Sequence, residues 1–121
     1  MKQLDAKTSE TYVQILKEEL LPAMGWLRTE HGVRRWCIVG DDYVWPRGSA
    51  AAARRYARAS GAEICDEVFV RLGTERYGEV LRRVERSGAE AVLMLLVGDD
   101  AVQFNRAFAR ADLDQQVLRL S

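Results

Sequence analysis

"RRWCIVGDDYVWPRGSAAAARR" (residues 34–55) decides the architecture. Residues 34–40 are a short apolar run closing on Gly40, the pattern of a strand buried on both faces. Residues 47–60, "RGSAAAARRYARAS", are rich in Ala and Arg and predict a helix ended by Gly61. A buried strand that passes directly into a helix is half of a βαβ unit. The junction has an echo: "LVGDDAVQFNRAF" (96–108) again sets Gly-Asp-Asp between an apolar run and a helical stretch.

Outward from these junctions, the periodicity alternates. Tyr12, Val13, Leu16, Leu20, Met24 and Leu27 recur at helical spacing and predict a helix over 9–31. Pro22 is expected to kink or restart it, and Gly32 to close it. "EICDEVFV" (63–70) predicts a second strand. Thr74 is placed to cap a helix with Tyr77, Val80, Leu81 and Val84 on one stripe, ended by Gly88. "AVLMLLVG" (91–98) is the most apolar segment and is expected at the sheet centre. Asp99 or Asp100 is placed to cap the helix that follows, with Phe104, Phe108 and Ala111 turned inward. "QQVLRLS" (115–121) predicts a last strand. The sum is an α/β fold: a three-layer, doubly wound parallel sheet of flavodoxin or Rossmann type, with strand order 2-1-3-4.

Composition narrows the function. With 121 residues the chain is sized for one domain. Its formal net charge is zero, which gives no basic excess to attract nucleic acid or an anionic membrane. The N-terminal residues lack the apolar core of a secretory signal. Cys37 and Cys65 lie inside apolar runs and read as free thiols, and the single His31 cannot complete a zinc site with them. All three lysines (Lys2, Lys7, Lys17) precede Arg28, the first of the arginines. Residues 1–20 are therefore set apart as a helix-prone extension of uncertain origin, and 21–121 as a single α/β lobe.

In a doubly wound sheet, ligands bind beyond the carboxyl ends of the strands where the winding reverses. With order 2-1-3-4, that point lies between strands 1 and 3, where both Gly-Asp-Asp motifs end. Gly permits a sharp turn or a close backbone approach, and Asp caps the next helix. Tyr43 and Trp45, in a predicted loop before Pro46, are placed as walls for a small ligand, with Asp42 beside them. Catalytic signatures are missing. There is no GxGxxG after strand 1, no GxxxxGK[ST] loop and no GxSxG elbow. The receiver-domain pattern of an acidic pair plus a late Lys fails, because no Lys follows Lys17.

At "RRWCIVGDDYVWPRGSAAAARR" the sequence resembles the type 1 periplasmic-binding-protein superfamily. It is most similar to the branch that binds short amides, urea and branched-chain amino acids for ABC transporters, or senses amides inside the cell. "PAMGWLRTEHG" (22–32) and "LVGDDAVQFNRAF" take part, and the resemblance covers about residues 20–121. It implies the second of two lobes that clamp a ligand between them. By position it implies that Tyr43 and Trp45 close over the ligand, and that Val97, Gly98 and Asp99 line the cleft.

The reading is thus a non-catalytic binding lobe of a solute-binding protein or sensor, expected to be a fragment. Its site residues are Tyr43, Trp45, Asp42, Val97, Gly98 and Asp99, with no metal or cofactor. Its expected partners are an amide or amino acid, and a first lobe, permease or regulator. The compartment implied is extracytoplasmic for a secreted receptor and cytoplasmic for a sensor. The alternatives are a self-associating module, such as a homodimer, and a metal-dependent hydrolase using Asp41, Asp42 and Asp99.

Overall fold

A computed structural model describes residues 16–121 apart from residues 75 and 115. A five-residue π-helical segment, Leu16–Leu20, leads into α1 (Leu21–His31). Then follow β1 (Arg35–Asp41), α2 (Val44–Ser60), β2 (Glu63–Val70), α3 (Gly78–Ser87), β3 (Ala91–Leu95), α4 (Asp99–Arg110) and β4 (Leu118–Leu120). All pairings are parallel, and the strand order is β2-β1-β3-β4, as predicted.

Alternation along the two central strands builds the layers. Trp36 and Ile38 of β1, with Ala91 and Leu93 of β3, face α1 and α2, where Met24, Ala50, Ala53 and Ala57 are buried. Cys37 and Val39, with Val92 and Met94, face α3 and α4. There Val80, Val84, Phe104 and Phe108 fill the second core, with Tyr77 edge-on to Phe104. Strands buried on both faces need unbroken apolar runs, and β1 and β3 have them. Phe104 and Phe108 are fully buried, each worth about 1.5–3 kcal/mol of apolar transfer. Cys37 behaves as a small hydrophobe: burial, then the Asp66 charge, push its thiol up to about 12. Among the described residues no helix is long and apolar enough to cross a membrane.

The structure corrects several expected boundaries and caps. Pro22 restarts rather than continues the first helix: it sits in the first turn of α1, directly after the π-helical segment. Residues 9–15 of the predicted helix, Tyr12 and Val13 among them, lie outside the described residues. α2 begins at Val44, so the aromatic stretch read as a loop is a helix start. Pro46 is tolerated there because its missing N–H has no partner to lose in a first turn. Thr74 caps nothing: α3 starts at Gly78 with no side-chain cap bond, and the Thr74 N–H donates to the Arg71 carbonyl. β3 stops at Leu95 and β4 is confined to residues 118–120. Ala111 is an exposed C-terminal cap rather than core, its expected place taken by Leu113 and Val117.

Candidate functional site

Beyond the carboxyl ends of β1 and β3 lies an apolar cavity of about 170 Å³. The first turns of α2 supply Tyr43, Trp45, Pro46 and Ser49 to one side of it. The end of β3 and the segment after it supply Met94, Leu95, Leu96 and Val97. Leu20 and Ser121 complete the rim. Tyr43 is the N-cap of α2, with extended backbone angles, so it points off the helix axis into the crevice region. Trp45 and Ser49 are one helical turn apart, which puts both on one face of α2. Among the described residues, no Asp, Glu, Lys or Arg side chain lines it.

Gly40 lets this wall form. A Cβ there would come within 3.2 Å of both the Phe69 ring and Pro46 Cβ, and 3.4 Å of Leu95 Cβ. Only a hydrogen at that position allows the start of α2 to press onto the strand ends. Gly98 serves differently: its φ of 52° and ψ of −126° form the turn that starts α4, and nothing lies within 4 Å of its missing Cβ. An L side chain is disfavoured there by the backbone itself.

The four aspartates divide into two pairs. Asp42 and Asp99 are exposed, while Asp41 and Asp100 are buried. Asp42 accepts a 2.8 Å hydrogen bond from Arg47 Nε, and this bond holds its carboxyl below the usual range. The Arg47 guanidinium also sits over the Phe69 ring at 4.2 Å. Asp41 Oδ2 accepts the Val97 N–H at 2.9 Å, tying β1 to the cavity wall. The Asp100 carboxylate accepts the Gly73 N–H at 3.1 and 3.2 Å, tying α4 to the turn after β2. The helix-capping role expected of Asp99 or Asp100 is therefore not found: Gly98 is the N-cap, and no side chain bonds the helix start. Among the described residues, no three His, Cys, Asp or Glu side chains converge as a metal-holding group.

Of the six expected site residues, Tyr43, Trp45 and Val97 thus share the cavity. Asp42, Gly98 and Asp99 lie at its two flanking junctions without lining it. Sequence reasoning missed Ser49, Leu95 and Leu96, although helical spacing from Trp45 pointed to Ser49.

The described residues thus form one α/β layer stack with an apolar hollow at the strand ends. The comparisons agree. A family model described as periplasmic binding protein matches residues 11–121, and the chain belongs to that family, of the type 1 periplasmic binding protein class. An ABC transporter substrate-binding protein from Sphaerobacter thermophilus is 28% identical, with a TM-score of 0.77 over 83% of this chain. An amino acid ABC transporter substrate-binding protein from Pseudomonas fluorescens Pf-5 superposes with a TM-score of 0.78 over 88% of this chain, at 14% identity. A solute-binding protein from R. palustris, solved in complex with 4-hydroxybenzoate, gives 0.74 over 82%, at 23% identity. The chain spans only 28%, 28% and 27% of these three chains, respectively.

Proposed function

We propose that this chain is one lobe, the second, of a non-catalytic solute-binding protein, and that Tyr43 and Trp45 receive a small ligand at the carboxyl ends of β1 and β3. The observation that carries this reading is the apolar hollow formed by these two aromatics against Leu95–Val97. Its volume, about 170 Å³, is below the roughly 300 Å³ at which complete ligand pockets begin. That volume suits one wall of a two-walled cleft, and the first lobe supplies the other wall. Closure of the two lobes on the ligand then signals occupancy to a permease or regulator.

The lining favours a ligand with an apolar body. An aromatic acid or a branched-chain amino acid fits better than urea, whose surface is polar throughout while the described lining is mostly apolar. Two similar proteins, an amino acid ABC transporter substrate-binding protein and a solute-binding protein solved with 4-hydroxybenzoate, point to ligands in the same range. With no charged side chain in the lining, the ligand's carboxylate is held from the other lobe. Acting outside the cytoplasmic membrane fits this reading.

Calorimetry or Trp fluorescence with leucine and 4-hydroxybenzoate tests it. Tyr43→Ala and Trp45→Ala are each expected to weaken binding roughly tenfold or more, the loss of an aromatic contact of about 1.5 kcal/mol. Their melting temperatures should stay close to that of the parent. Affinity unchanged in both variants contradicts the assignment.

A further inference from the structure

The buried half of the Gly-Asp-Asp echo has no part in ligand contact. Strand alternation turns Asp41 inward at the end of β1, where it is fully buried, and Asp100 is 6% exposed in the first turn of α4. Asp41 Oδ2 is occupied by the Val97 N–H, and its buried Oδ1 meets no N–H donor. The Asp100 oxygens hold the Gly73 N–H, while the Tyr77 hydroxyl donates to the Asp100 backbone carbonyl at 3.3 Å.

Val97, whose N–H Asp41 holds, also accepts the Asp100 N–H on its carbonyl at 3.1 Å, so the two aspartates meet at one residue. Ionised carboxylates only accept, so the buried Asp41 Oδ1 gains nothing from a neighbouring carboxylate unless Asp41 itself carries a proton. Among the described residues, no cation is among the groups that shift Asp41. Burial, then the charges of Asp100, Asp41 and Asp99, push the Tyr77 hydroxyl, on the α3 side, up to about 12. Arg47 on α2 is engaged by Asp42. Two like charges in so dry a place cannot both persist. Burial, then the hydrogen bond with Asp100, push the Asp41 carboxyl up to about 7.

We propose that Asp41, buried beside Asp100, keeps a proton and that the pair forms a latch on the carboxyl-end rim, holding the Val97 wall and the Gly73 turn in place while Asp41 is protonated and slackening both when the proton leaves. The inference concerns the fold alone and stands whatever ligand the cavity takes. Its sign follows from linkage. The Asp41 carboxyl binds its proton more tightly in the folded chain than at its ordinary value of 3.8. The stability this contributes is complete below about pH 4 and is lost as the pH rises to about 7, beyond which it stays constant.

Thermal unfolding of the wild-type chain and of Asp41→Asn between about pH 5 and about pH 8.5 tests the latch. The wild-type melting temperature is expected to fall by about 5 °C or more across that range. Asn at this position keeps both contacts: its amide N–H donates to Asp100 as the proton did, and its oxygen accepts from Val97. The variant's profile should therefore be flat. A flat wild-type profile, or the same slope in both chains, overturns the proposal. Should Asp41→Asn not fold, NMR of the wild type decides. The Val97 and Gly73 amides must shift with one common midpoint near neutrality, and midpoints in the ordinary carboxylate range overturn it equally.

Discussion

Gly40 and Gly98 open the same tripeptide, each between a strand and a helix, yet they meet different physical demands. Gly40 has ordinary backbone angles and no room: the Phe69 ring and Pro46 stand 3.2 Å from where a Cβ would be. Gly98 has room on every side and a backbone that L residues avoid. The aspartates that follow show the same divergence. At the first junction, the inward residue is the first Asp, as strand alternation from Val39 dictates. At the second it is the second Asp, because the helix has already begun at Asp99. Identical letters therefore place opposite members of each pair in the interior, and that offset is what brings Asp41 to Asp100.

Crossed substitutions break or sharpen this contrast. Gly98→Ala is expected to cost the most, about 2–3 kcal/mol, the upper range for a residue forced into a disfavoured backbone region. No second substitution should relieve it, since nothing touches the added methyl. Gly40→Ala is expected to cost about 1–2 kcal/mol by overpacking, with partial rescue by Phe69→Leu, which clears one of the crowding atoms. Denaturant unfolding of the two singles and the two doubles with Phe69→Leu measures both effects. Rescue of Gly98→Ala, or none for Gly40→Ala, contradicts the distinction.

The smallest effect is expected from Asp42→Asn. The carboxylate and its Arg47 partner are both about half exposed, 50% and 56%, and water and salt screen the pair. The melting temperature at neutral pH should not change measurably. A clear fall would show that the Asp42–Arg47–Phe69 arrangement carries the rim, and that the buried aspartates are not its main tie.

How far these features were legible in the sequence depends on how local their causes are. The strand order and layers were readable, because β1 and β3 advertise double burial through runs such as "WCIV" and "AVLM". The start of α2 was misread because Pro46 looks like a helix breaker, whereas a first turn has no hydrogen bond for proline to remove. Thr74 looked like a cap because capping is judged on residue type, but the chain turns at 71–74 and enters α3 only at Gly78. Tyr43 and Trp45 could be placed at the crevice from topology alone. The Asp41–Val97 and Asp100–Gly73 ties could not, since each joins a side chain to a backbone group distant in sequence. The site is thus legible where it depends on strand ends and illegible where it depends on which loop lies under which carboxylate.

The most direct test of the central claim, that the carboxyl-end crevice between β1 and β3 is the binding face, is an amide NMR titration of this chain. The ligands are 4-hydroxybenzoate and leucine, raised to millimolar concentration. The account predicts shifts concentrated at Tyr43, Trp45, Ser49 and Leu95–Val97, with the amino-end loops unmoved. Shifts centred on the opposite end of the sheet, or none with either ligand, would contradict it.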